Sequence, residues 1–137
     1  MKLCSACLLG IPCRYDGKAK PDPKVLELAE QELLVPVCPE QLGGLETPRE
    51  GCEIVEGRVK TKFGIDRTEA FQKGAESVLH IAKLCGAKQA ILKARSPSCG
   101  CSKIYDGSFS GKLTDGNGIT AELLLEAGLE VICEEDL

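Results

Sequence analysis

Tryptophan is absent, and two tyrosines and three phenylalanines are the only aromatics among 137 residues. So sparse a set does not build a row of base-stacking platforms, which argues against single-stranded nucleic acid as a ligand. The formal net charge of −4 leaves no basic footprint for nucleic acid or an anionic membrane. Histidine occurs once, as His80 inside an apolar-periodic segment, where it reads as a surface or packing residue. With no second histidine, no Ser-His-Asp or Cys-His nucleophile can be assembled. No apolar run approaches the ~18 residues of a membrane span. The opening Lys2-Leu3-Cys4-Ser5-Ala6 reads as a strand and not as a signal peptide. The cytoplasm is therefore the expected compartment. Gly43-Gly44 and Gly116-Asn117-Gly118 complete neither phosphate-binding glycine pattern, and no internal repeat or low-complexity tract is present.

What the chain does hold is cysteine, nine in all. The number is odd, and 137 residues suffice for one domain, 1–137, with its own core, so disulfide staples are not needed. Hydrophobic residues at 43% and charged residues at 28% fit an ordinary globular chain. In a reducing compartment, thiols at this density point to metal ligation or redox chemistry, with some serving as small buried hydrophobes.

Along the chain, Met1–Cys7 reads as a strand broken by Gly10 and Pro12. Arg14-Tyr15-Asp16-Gly17 reads as a turn, and Pro21-Asp22-Pro23 opens a helix to about Gln31. Leu33–Val37 is a second buried strand, and residues 39–50 read as a functional loop. Glu53-Ile54-Val55 and Arg58-Val59-Lys60 flank Glu56-Gly57 as a small hairpin. Asp66 with Glu69 suggests a capping box for a long helix over 67–85, closed by Gly86. Lys88–Lys93 is the third strand; after a Gly-rich excursion, Thr120 caps a helix to Glu126, and Leu129–Cys133 is the last strand. Strand and helix alternate throughout. The expected fold is α/β, an open parallel, Rossmann-like three-layer sheet with a small hairpin insertion.

In such sheets ligands bind beyond the carboxyl ends of the strands. Cys7 and Cys38 fall at the ends of the first and second strands, and Cys99 in the loop leaving the third, so three thiols distant in sequence converge on one edge. Soft thiolates select zinc, Cu(I) or iron–sulfur clusters. Cys4-Ser5-Ala6-Cys7 has zinc-like spacing, but a strand would point residues 4 and 7 to opposite faces. Cys99-Gly100-Cys101 is too tight to chelate one ion well. Three separated thiolates fit a [4Fe–4S] cluster better, while zinc and a metal-free arrangement stay open. Cys4, Cys52, Cys85 and Cys133 lie in or beside apolar segments and read as packing; Cys13 and Cys101 read either way.

Ser5-Ala6-Cys7-Leu8-Leu9-Gly10 with Arg14-Tyr15-Asp16-Gly17, Cys38-Pro39-Glu40 with Gly43-Gly44-Leu45 and Pro48-Arg49, and Ser96-Pro97-Ser98-Cys99-Gly100 together resemble the thiouracil desulfurase (TudS) family, long catalogued as a domain of unknown function. The motifs are short singly and specific jointly, and run in order over nearly the whole chain. The resemblance implies an oxygen-sensitive [4Fe–4S] cluster on Cys7, Cys38 and Cys99, with one iron not bound by cysteine and open to substrate sulfur. It implies conversion of 2-thiouracil to uracil and hydrogen sulfide, with Glu40 and Ser96 as the active-site carboxylate and hydroxyl. The partner implied is a small thiolated base. The rival expectation is a non-catalytic iron–sulfur or metal module that senses oxygen or delivers sulfide. Arg14 and Arg49 read as cations near an anionic site or as surface ion pairs, and Asp16 as a turn or site residue.

Overall fold

Four parallel strands organise the chain in a computed structural model that describes residues 1–137. They are β1 (Lys2–Ser5), β2 (Leu34–Val37), β5 (Gln89–Leu92) and β8 (Glu130–Cys133), in the order β2-β1-β5-β8. Their register aligns Ser5 with Val37 and Leu92 with Cys133, so all four strands end along one edge. β1 feeds β2 on one side, whereas the later crossover places β5 on its other side. The topological switch point therefore lies between β1 and β5, where a crevice opens in sheets of this kind.

Alternation along the strands divides the interior. Leu3, Ala90 and Leu92 point to one face, packed by α3 (Thr68–Cys85) and α4 (Ile119–Glu126) through Val78, Ala82 and Leu124. Cys4 and Ile91 point to the other, packed by α1 (Pro23–Gln31) through Val25. Sheet and two helical layers make the expected three-layer α/β arrangement. Helix α1 begins on Asp22, whose side chain accepts the N–H groups of Lys24 and Val25, with Pro23 in the first turn. Gly86 ends α3 at φ 72°, as its position forecast.

Two hairpins stand at the carboxyl edge. β3 (Cys52–Val55) and β4 (Arg58–Thr61) form the expected one, turning on Glu56 and Gly57, both at positive φ. β6 (Lys103–Tyr105) and β7 (Leu113–Asp115) form a second inside the Gly-rich excursion, which had no strand-like run long enough to read.

Several local expectations are corrected. The first strand stops at Ser5, and Ala6–Leu9 is a 3₁₀ turn, so strand alternation does not govern Cys7. Residues 39–50 are not all loop: α2 (Pro39–Leu42) starts directly after Cys38. Gly43 and Gly74 permit this short helix to press on α3, since a Cβ on Gly74 would stand 1.9 Å from the Pro39 carbonyl oxygen. At α3 the capping box is absent. Arg67 occupies the cap position, and Asp66 instead accepts the Thr68 N–H and pairs with Arg58. Thr120 is not the cap of α4 but lies buried within it, its hydroxyl unpartnered. Gly118 takes the cap because a Cβ there would meet the Ser98 carbonyl carbon at 2.5 Å.

Candidate active site

At the switch point the Ser5 hydroxyl accepts the Lys93 N–H at 2.9 Å, tying the ends of β1 and β5 together. The 3₁₀ turn after Ser5 then places Cys7 at the crevice, 7% exposed, and Gly10 closes the turn at φ 95°. Cys38 follows β2 and precedes Pro39, which starts α2 because its fixed φ suits a first helical position and its missing N–H is not needed there. The Cys38 thiol donates to the Cys13 carbonyl at 3.6 Å. Beyond β5, Ser96 Oγ accepts the N–H groups of Ser98 (3.1 Å) and Cys99 (2.9 Å), folding Ser96–Gly100 into a tight turn. The first N–H groups of α4 fasten that turn from below: Ile119 donates to the Pro97 carbonyl, and Thr120 to that of Ser98. Cys99 is thereby held rigidly, at 4% exposure.

These thiols border a cavity of about 400 Å³, together with Cys13 and Cys52. Burial pushes the Cys99 thiol up to about 11, offset in part by the hydroxyls of Ser5 and Ser98. Cys38 is raised by its hydrogen bond with Cys13 and by burial. Cys13 sits between two thiols: its bond with Cys38 lowers it, while its bond with Cys7 and burial prevail and raise it. Such thiols are neutral at pH 7, so any metal they take up releases protons.

The carboxylate of Glu40, in the first turn of α2, is held on both oxygens. Arg49 Nε donates to Oε1 at 2.9 Å, and Ser98 Oγ donates to Oε2 at 2.8 Å. Ser96 Oγ lies 2.9 Å from Ser98 Oγ. Since the single Ser98 hydrogen goes to Glu40, Ser96 is the donor to Ser98, and a hydroxyl chain runs Ser96–Ser98–Glu40. Arg49, with its side chain only 7% exposed, also donates to the carbonyls of Cys13 and Glu46 and to Thr47 Oγ1. One guanidinium thus joins α2, the Cys13 turn and the 46–49 segment.

A family model described as 2-thiouracil desulfurase matches residues 3–136. The chain belongs to the 2-thiouracil desulfurase family. Among its relatives, the uncharacterized protein YbbK of Bacillus subtilis (strain 168) is 44% identical over 147 residues, covering 100% of this chain and 97% of YbbK. The solved structure of the [4Fe-4S]-dependent thiouracil desulfidase TudS is 40% identical, with a TM-score of 0.94 over 99% of this chain and 91% of that one.

In this desulfurase-family chain, Cys7, Cys38, Cys99, Glu40 and Ser96 all border the one cavity. Arg14 also reaches it while pairing with Asp16 at 3.7 Å, and Asp16 itself shapes its turn by accepting the Lys18 N–H. Cys4 and Cys133 are buried, and Cys85 packs against the α3–α4 face, as their apolar neighbours suggested. Cys52 departs from that expectation. It is half-buried in β3 and faces the cavity, because the hairpin folds over the strand ends instead of joining the main sheet. Cys13 lines the cavity, whereas Cys101 turns away and its thiol donates to the Val131 carbonyl. His80 is exposed. Ser98 went unread as a site residue, though its place between Pro97 and Cys99 was the available signal.

Proposed function

We propose that this protein is an iron–sulfur desulfurase that hydrolyses the C=S bond of a small thiolated pyrimidine, 2-thiouracil to uracil and hydrogen sulfide. The observation that carries the reading is the meeting of Cys7, Cys38 and Cys99, from three strand ends, beside a Glu40 carboxylate held on both oxygens. The donor set suits a [4Fe–4S] cluster. All the thiols are soft and free, and nowhere do three Cys, His, Asp or Glu side chains close on a single-ion position. When bound, the cluster supplies one iron without a cysteine ligand, a soft Lewis acid matched to thiocarbonyl sulfur.

The protein supplies position and protons. Glu40 takes a proton from the water that adds to the thiocarbonyl carbon and returns it to the departing sulfur. Water in and hydrogen sulfide out balance the reaction with no change of oxidation state. Arg49 fixes the carboxylate in one orientation, and Ser98 links it to Ser96. Rotation of its hydroxyl hydrogen away from Ser98 lets Ser96 hold a ring heteroatom of the substrate. No helix of the chain is long and apolar enough to cross a membrane. We place the reaction in the cytoplasm, where nine unpaired thiols remain reduced.

Anaerobic reconstitution followed by iron and acid-labile sulfide analysis tests the assignment. The expected content is about four of each per chain, lost in Cys7→Ala, Cys38→Ala and Cys99→Ala. Glu40→Gln is expected to keep the iron and release sulfide from 2-thiouracil ~10²- to 10⁴-fold more slowly. Zinc in place of iron, or full loading in the cysteine variants, overturns the ligand set. An intact cluster without sulfide release returns the protein to a sensing or delivery module.

A further inference from the structure

Aromatic side chains are scarce in this molecule, yet they are concentrated. Of the two tyrosines and three phenylalanines, Tyr15, Tyr105 and Phe109 border the cavity of about 400 Å³. Phe71 alone is in the core, and Phe63 is exposed. A fold so short of aromatics has no packing reason to spend three of them on one solvent-facing crevice.

Phe109 is also held there against its backbone preference. It lies at φ 56°, a left-handed conformation that a bulky side chain rarely adopts without other restraint. The restraint comes from the facing hairpin. Glu53 Oε1, on β3, accepts the N–H of Gly107 at 3.0 Å and that of Phe109 at 3.1 Å. Gly107, at φ 91°, permits the approach, since a Cβ would meet the Ile54 carbonyl oxygen at 2.6 Å. The tip of β6–β7 is thus fastened to β3 with Phe109 turned to the cavity. Neither the thiols nor Glu40 touches this device, and the desulfuration chemistry has no use for it.

Resting on the desulfurase reading of the cavity, we infer that Phe109, with Tyr105 and Tyr15, forms an aromatic wall that selects a flat, conjugated heterocycle. Glu53 is the positioning residue that aims Phe109. A thiocarbonyl group alone does not distinguish a thiopyrimidine from an open-chain or saturated thioamide. A ring face does, because stacking depends on planarity and a delocalised π system. Substrate choice is therefore divided: sulfur is selected at the metal end, and the ring at the hairpin end.

The test uses sulfur-free probes on the anaerobically reconstituted full chain, so that it stands apart from turnover. Uracil and 5,6-dihydrouracil carry the same polar groups, but only uracil is flat and conjugated. Equilibrium dialysis is expected to show uracil binding on the order of tenfold or more tighter, within the range that base–aromatic stacking supplies. Phe109→Ala and Phe109→Leu should erase that preference with iron content unchanged, and Phe109→Tyr should keep it. Glu53→Ala should weaken uracil binding and add nothing to Phe109→Ala, whereas Glu53→Gln, which retains the accepting carbonyl oxygen, should restore it. Equal affinity for the two probes in wild type, or an unchanged preference in Phe109→Leu, overturns the inference. Sulfide release from 2-thiouracil, assayed on the same preparations, decides the desulfurase reading separately.

Discussion

The two faces of the main sheet are built from different materials. On the α3–α4 face, eleven buried residues form the core, nearly all aliphatic, with Cys99 the one thiol. On the α1 face the core is eight residues, and three of them are Cys4, Cys7 and Cys13, with half-buried Cys38 packed alongside. Two helices cover the first face and one covers the second. The thiols thus gather where helical cover is thinnest and where the chain must turn past the strand ends. A thiol packs as a small hydrophobe until a metal is offered, so one region can be core and ligand set at once. The trio Cys7, Cys38 and Cys99 draws on both faces, which locates the candidate site at the crevice where they meet.

The largest effect expected from that contrast is functional. Cys7→Ala should abolish iron binding and sulfide release, while Leu124→Ala, on the aliphatic face, should leave iron per folded chain unchanged. Leu124 is fully buried, so its truncation should instead cost about 2–5 kcal/mol, read by denaturant unfolding. Next comes Gly74→Ala. The added Cβ must displace Pro39, and with it Cys38 and Glu40, lowering stability by about 1–3 kcal/mol and cluster retention along with it. Cys4→Ala sharpens the comparison within one face. Burial pushes that thiol up to about 12, so it stays protonated as packing. Its loss should cost about 1 kcal/mol and leave the iron content intact.

The smallest effect lies outside both faces. Arg58 and the Thr68 N–H hold the exposed Asp66 carboxyl well below its usual 3.8. A depressed folded value favours the folded state above the unfolded one and loses that contribution as pH falls. Asp66→Asn should therefore flatten the acid limb of a stability–pH curve below about pH 4, with little change at neutrality.

Much of the fold was legible because local chemistry and final structure agree. Pro21-Asp22-Pro23 starts α1, Gly86 stops α3, and short β-branched runs mark all four central strands. The readings that failed did so through contacts made at a distance. Thr120 looked like a cap until Gly118 was needed against Ser98, and residues 39–50 looked like loop because the partner that steadies α2 is Gly74. The second hairpin was illegible for the same reason. Its anchor is a carboxylate on Glu53, 54 residues from the Gly107 N–H that it accepts.

By itself, then, the sequence determined the α/β rhythm and the placing of Cys7, Cys38 and Cys99 at strand ends, because periodicity and turn chemistry act over a few residues. It also carried the Cys-Pro-Glu and Ser-Pro-Ser-Cys motifs, whose spacing is local. Only the tertiary structure decided that Arg49 and Ser98 grip Glu40 from both sides, that Cys13 joins the thiols while Cys101 leaves them, and that three scarce aromatics share one wall. Those facts depend on how hairpins and turns fold over the sheet edge, and no pattern along the chain records a contact made across it.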